Sequence, residues 1–233
     1  MGSLVSFLKK KGIKKLYKYY KNPFSNYIFI HIGKCGGSSV RKKLKKYDIK
    51  HVHIEKVKYI NNKKYFLIIR NPISRFVSAF NWRYKLVIQD KIQENRFKGE
   101  KLILEKYNNV NDLAENIYNT NGELVLNFQK PNNYIHHITE DIYFYIGELL
   151  DIVKSEEIGG ILTTENLNSD FKNTFNIELD YHYKKNKSDD YLSKIAINNL
   201  VSYLKKDFEC IDRLDKMKLL SKEQYKVLSN KKF

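Results

Sequence analysis

From residue 26 onward the chain alternates short apolar runs with amphipathic stretches, and each kind carries its own structural expectation. Tyr27-Ile28-Phe29-Ile30-His31-Ile32 and Tyr65-Phe66-Leu67-Ile68-Ile69 are almost continuously apolar, as strands covered on both faces of a parallel sheet are. They predict strands over 26–32 and 65–70. Between them, 37–46 reads as a basic helix and 49–54 as a short strand. After the second run, Pro72 suits the start of a helix that continues over 73–88. Strand and helix in alternation predict an α/β fold with a central, mostly parallel sheet flanked by helices.

Further on, 110–119 reads as helical, 142–146 as a strand, 147–154 as a helix and 158–163 as another short strand. Ala196, Leu200, Tyr203, Leu204, Phe208 and Ile211 follow helical spacing and predict a C-terminal helical region. At the other end, Ile13, Leu16, Tyr17 and Tyr20 recur at the same spacing in a basic stretch that Asn22-Pro23 stops. The expected organisation is a basic helix over 1–22 and one domain over 23–233. Only 3 prolines occur, and neither an internal repeat nor a Gly- or Pro-rich linker points to a second domain.

Composition changes this picture in three ways. With 233 residues, 42% of them hydrophobic, the chain can bury a sizeable core, which excludes a mostly disordered protein. Lys+Arg 43 against Asp+Glu 26 gives a net charge of +17, favouring polyanions, anionic membrane surfaces or phosphate-bearing small molecules as partners. Lysine is spread along the sequence, so charge does not choose among these. Cys35 and Cys210 are the 2 cysteines, too few for a disulfide framework and consistent with a reducing compartment. No run approaches the roughly 18 apolar residues of a membrane span, and no signal-peptide pattern precedes the first strand. The expected location is cytoplasmic, with the basic N-terminus available for peripheral membrane contact. Met1-Gly2-Ser3-Leu4-Val5-Ser6 also matches the form of a myristoylation signal.

The candidate chemistry starts where the first strand ends, at Gly33-Lys34-Cys35-Gly36-Gly37-Ser38-Ser39. Small residues at Gly33, Gly36 and Gly37 let the backbone approach an anion, and Lys34 adds a point charge. Ser38 and Ser39 can cap the following helix and donate hydroxyls to the same oxyanion. A P-loop nucleotide triphosphatase would place four residues between its first Gly and a Gly-Lys-Ser/Thr triplet, and would end a later strand in a magnesium-binding Asp. Here the lysine comes early and the strand over 65–70 delivers Arg70, a phosphate ligand and not a metal ligand. Ser74 and Ser78 lie four residues apart on the next helix, which brings the Ser78 hydroxyl towards the Arg70 guanidinium, and Arg75 offers another cation. The implied ligand has two separated phosphate groups. Trp82 and Tyr84 offer surfaces that stack on a base or sugar, or pack in the core.

These segments resemble those of the sulfotransferases that use 3′-phosphoadenosine 5′-phosphosulfate (PAPS), especially the branch acting on carbohydrates. The resemblance implies that Gly33, Lys34, Cys35, Gly36, Gly37, Ser38 and Ser39 bind the 5′-phosphosulfate, and that Arg70 and Ser78 bind the 3′-phosphate. Leu162-Thr163-Thr164-Glu165-Asn166-Leu167 with Asp170-Phe171 is similar to a later strand and helix of that family. His182-Tyr183-Lys184-Lys185-Asn186-Lys187-Ser188 is similar to its late cofactor loop, adding Lys187 and Ser188 to the donor site. Cys35 and Gly36 stand where relatives often have Thr and Ala, and the middle of the chain diverges. The fold implied is P-loop-like. The activity implied is direct in-line transfer of a sulfuryl group from PAPS to a hydroxyl of a glycan or glycolipid, with no metal, redox group or nucleic-acid partner.

In that scheme Lys34 stabilises charge growing on the sulfuryl group and the leaving phosphate. His51, His53 and Glu55 alternate along the expected second strand and share one face. His53 is the favoured base, with an imidazole suited to proton transfer at neutral pH, followed by His51 and Glu55. Two histidines and a carboxylate could instead chelate a metal ion. His136 and His137, near Tyr134, either line the acceptor pocket or lie at the surface. Cys35, beside Lys34 at a helix start, occupies an environment that favours thiolate, though direct transfer needs none. Two other functions compete: a P-loop-like kinase and a non-enzymatic polyanion-binding module.

Overall fold

The computed structural model describes residues 26–47, 49–179 and 191–233. The helix expected over 1–22 and the segment carrying Lys187 and Ser188 lie outside the described residues. Strand β1 (Tyr27–His31) leads into helix α1 (Gly37–Leu44), β2 (Lys50–Val52), β3 (Lys64–Ile69) and α2 (Pro72–Tyr84). Helices α3 (Glu100–Lys106), α4 (Val110–Glu115) and α5 (Ile142–Leu150) then precede β4 (Ile158–Thr163). Helices α6 (Leu167–Phe175), α7 (Lys194–Tyr203), α8 (Lys205–Lys216) and α9 (Lys222–Leu228) follow. The four strands form one parallel sheet in the order β2-β1-β3-β4, so the protein is α/β with helices flanking an all-parallel sheet. Among the described residues, no helix is long and apolar enough to cross a membrane.

The two continuously apolar runs occupy the centre of this sheet. Phe29 of β1 pairs with Phe66 of β3, their rings stacked at 4.8 Å, and Phe66 meets Phe175 of α6 edge-on at 5.0 Å. Leu67, Ile68 and Ile69 are fully buried; truncating any one to alanine would leave a cavity costing about 2–5 kcal/mol. Helix α2 starts where Pro72 predicts. Asn71 is its N-cap, with its side-chain oxygen accepting from the Ser74 N–H at 3.1 Å. The Asn71 amide nitrogen donates to the carbonyls of Val227, Leu228 and Asn230, tying the end of α9 to the start of α2. Ile73, Phe76, Val77 and Phe80 face the core, whereas Ser74, Ser78 and Trp82 lie on the more open side.

Several sequence expectations shift. The run 142–146 is the first half of helix α5 and not a strand, and the helix expected over 147–154 ends at Leu150. A short apolar run does not separate strand from buried helix by periodicity. Asp141 decides it by accepting the Phe144 N–H at 2.6 Å as an N-cap. The strand expected over 49–54 stops at Val52, and Ile54 is turned into the left-handed region, φ 62°. The helix over 110–119 is shorter, ending at Glu115, and the C-terminal helical pattern divides into α7 and α8 around Leu204. The strand over 158–163 stands as expected.

Candidate active site

From β1 the chain passes through α1 to β2 on one side, then returns across β1 to β3 on the other. The gap between the C-terminal ends of β1 and β3 is therefore a topological switch point, where open α/β sheets present a ligand crevice. Both sequence motifs emerge there, the Gly-Lys loop from β1 and Arg70 from β3. Arg70 Nη1 lies 3.4 Å from the Lys34 carbonyl, and the Lys34 ammonium sits 4.5 Å from the centre of the Trp82 ring, a cation–π contact. Trp82 is 38% exposed, so it belongs to the open face of α2 and not to the core. Tyr84 instead stacks on Phe80.

Neither Lys34 nor Arg70 forms an ion pair with a carboxylate among the described residues. Burial, with Arg70 close by, pushes the Lys34 amine down to about 8. The other two nearby cations are committed elsewhere. Arg83 makes a buried ion pair with Glu100, at 2.8 and 2.6 Å. Arg75, read from the sequence as a further cation of the site, is fully buried and donates through Nη2 to the carbonyls of His137 and Glu140.

The loop is held from β4. Thr164 Oγ1 donates to the Cys35 carbonyl at 2.8 Å, and Glu165 Oε1 accepts the Asn71 N–H at 3.1 Å. Asp170 Oδ2 in turn accepts from Thr163 N and Oγ1 at 2.7 and 2.6 Å. The segment 162–171 thus positions the two motifs. Within the loop, Gly36 has φ 80° and is the N-cap of α1, with no side-chain cap bond. Ser38 and Ser39 therefore do not cap the helix; Ser38 is exposed and Ser39 buried. The first turn of α1 thus has no side-chain cap, and the Ser39 N–H bonds to the Gly36 carbonyl at 3.2 Å.

Gly33 and Gly37 have a reason that the sequence did not disclose. A Cβ at Gly33 would lie 2.4 Å from His137 Nδ1, and one at Gly37 would lie 2.1 Å from the His31 ring. Imidazoles occupy the space that side chains would need. Cys35 departs from expectation as well: it is fully buried, burial raises its thiol to about 12, and Sγ lies 3.7 Å from the Gly33 carbonyl as its acceptor. It is a protonated packing residue and not a thiolate.

The histidines form a file along this edge. His31 Nδ1 and His51 Nε2 share a hydrogen bond at 3.0 Å, and His53 Nδ1–H donates to the His31 carbonyl at 2.7 Å. Rings of His31 and His53 stack at 4.0 Å, His53 and His137 lie 6.0 Å apart, and His136 stacks on His137 at 3.9 Å. Five of the 6 histidines are thereby brought together; His182 lies outside the described residues. A carbonyl only accepts, so His53 carries its proton on Nδ1 and keeps the Nε2 lone pair. Burial lowers the pKa of His53 and brings that of His51 to about 4 and that of His31 to about 2. All three are neutral at pH 7.

Comparison with known proteins adds no family to this geometry: no family model, no curated protein and no solved structure matches the chain.

Glu55 does not join His51 and His53. The strand has ended by Val52, and Glu55 is exposed beyond the left-handed Ile54. The alternative metal-chelating trio of His51, His53 and Glu55 is therefore not brought together. Among the described residues, the histidines and carboxylate that converge are His136, His137 and Glu140. His136 and His137 are buried, 5% and 8% exposed, and are not surface residues. Glu140 accepts from the Tyr134 hydroxyl at 2.7 Å and the His137 N–H at 2.6 Å, and lies 3.1 Å from His136 Nδ1. His31 carried a faint sequence signal, alternating with Phe29 on the face that also bears His51 and His53. His137 carried none beyond its type.

Proposed function

We propose that the crevice between β1 and β3 binds PAPS and that the protein transfers its sulfuryl group to a hydroxyl of a carbohydrate acceptor. One observation carries this reading: Lys34 and Arg70, delivered by two different strand ends, meet at the switch point without an ion pair to a carboxylate among the described residues. Two adjacent cations, neither tied up in an ion pair, with the Glu165 carboxylate nearby bound to the Asn71 N–H, favour a dianionic or polyanionic ligand. The loop from Gly33 to Ser39, with its uncapped helix start, receives the 5′-phosphosulfate. Arg70 receives the 3′-phosphate with Ser78, which lies on the open face of α2 beside Ser74.

His53 supplies the base. Its Nε2 takes the acceptor hydroxyl proton as the acceptor oxygen bonds to sulfur and the bond from sulfur to the leaving phosphate oxygen breaks. Lys34 and the loop N–H groups balance the negative charge left on that phosphate. Trp82, carrying the Lys34 ammonium on its face, forms a wall suited to a sugar or base. The net charge of +17 suits an acidic glycan acceptor.

The test is a melting assay with adenosine 3′,5′-bisphosphate followed by transfer from PAPS to candidate oligosaccharides. Stabilisation of the wild type that disappears in Arg70→Ala supports the reading. Stabilisation by ATP with magnesium alone, and none by the bisphosphate, would make the site a kinase's; the absence of an acidic residue at the end of β3 argues against that. Salt-sensitive polyanion binding that survives Arg70→Ala would reduce the protein to a binding module.

A further inference from the structure

We propose that His136, His137 and Glu140 form a binding site for a zinc-class divalent cation, distinct in chemistry from the anion crevice beside it. Each side chain is buried and offers one ligand atom, and the three atoms lie within 4.8 Å of one another. His136 Nδ1 and Glu140 Oε2 are 3.1 Å apart, with the Tyr134 hydroxyl 3.0 Å from the same nitrogen; a cation would displace the proton between the first two and bind both, since metal ligands must be deprotonated. Modest closure by His137 completes a three-ligand set.

His137 makes the independent case. Its Nδ1 is buried and has no hydrogen-bond partner, although buried polar atoms are nearly always satisfied. The residue is also held at φ 69°, a conformation a non-glycine residue seldom adopts. Arg75 fixes the turn through the His137 and Glu140 carbonyls, to which its Nη2 donates. Tyr134 holds Glu140 Oε1 at 2.7 Å, and Glu100 accepts the His136 N–H at 2.8 Å. Such outer contacts orient the carboxylate and imidazoles of metal sites.

The donor set selects the ion. Two imidazoles and one carboxylate suit zinc, cobalt or nickel, whereas magnesium and calcium take all-oxygen sets. Three protein ligands leave at least one position open. The site lies against the Gly-Lys loop, because His137 fills the space over Gly33.

The experiment is titration of the metal-free, full-length protein with Co²⁺, read by its visible ligand-field bands, with Zn²⁺ as competitor. One equivalent of Co²⁺ should bind, Zn²⁺ should displace it, and His136→Ala and Glu140→Gln should each weaken binding by at least about tenfold. His51→Ala should bind Co²⁺ as the wild type does. X-ray absorption on the zinc-loaded wild type should count two imidazoles, a readout that needs no variant to fold. Absence of bands in the wild type, fewer than two imidazoles, or undiminished binding in folded His136→Ala and Glu140→Gln would overturn the site. Loss of binding in His51→Ala would move the metal to the strand histidines and overturn it equally. None of these readouts depends on sulfuryl transfer.

Discussion

The two sides of the crevice handle charge in opposite ways. On one, Lys34 and Arg70 keep their positive charges close together without an ion pair to a carboxylate among the described residues, and burial, with Arg70 adding to it, brings the Lys34 amine down to about 8. On the other, His31, His51 and His53 are held neutral by burial and bond to one another or to backbone. A cation pair left uncompensated is a place where an anion gains most from binding. A neutral, oriented imidazole is a place where a proton can go. In the proposed function, the contrast separates ligand holding from proton handling.

The largest expected effect breaks the cation side alone. Arg70→Ala should abolish stabilisation by adenosine 3′,5′-bisphosphate and lower transfer by more than about a hundredfold, while circular dichroism stays native. A retained melting shift would place the anion elsewhere. Breaking the other side should be almost as costly but different in kind. His53→Ala should lose roughly 10²–10⁴-fold in transfer rate yet keep the bisphosphate shift, and full activity would remove His53 as base.

A third change strikes the contact between the two sides. Gly37→Ala forces a methyl into the His31 ring and should cost about 1–3 kcal/mol in denaturant unfolding. The double variant Gly37→Ala, His31→Ala should recover part of that loss; no recovery would mean that the ring is not what demands glycine. The smallest effect is a matter of pH. Because the free Lys34 amine lies near 8 and a bound anion favours its charged form, bisphosphate affinity should be full below pH 8. It should fall as pH rises above 8, with proton uptake on binding near that pH. Calorimetry in two buffers of different ionisation enthalpy measures that uptake, and zero uptake would dissociate Lys34 from the ligand.

The parts of this arrangement legible in the sequence are those set by local pattern. The unbroken apolar runs of β1 and β3 named the central strands, and Pro72 named the start of α2. The meeting of Lys34 and Arg70 could be expected because each follows such a strand, although the strand order that makes their meeting point a switch point could not. Helix α5 was misread because Ile142 to Ile146 is apolar throughout, and the deciding residue was the cap at Asp141. Glu55 was misplaced by extending alternation past a strand that the left-handed Ile54 ends. Cys35 was read from its neighbours along the chain, whereas its pKa is set by burial that no neighbour reveals. The file of histidines assembles from positions as far apart as His31 and His137, and long-range packing of that kind leaves no periodic trace.

Asn71 carries a consequence for the order in which the molecule is made. Its one side chain caps α2, directly after Arg70, and grips the carbonyls of Val227, Leu228 and Asn230. On a ribosome, Asn71 emerges 156 residues before Val227, so the corner beside Arg70 waits for those residues before this restraint closes. Such sequence-distant contacts form late in folding. A nascent chain that already displays both motifs would still lack the tie between the start of α2 and the end of α9.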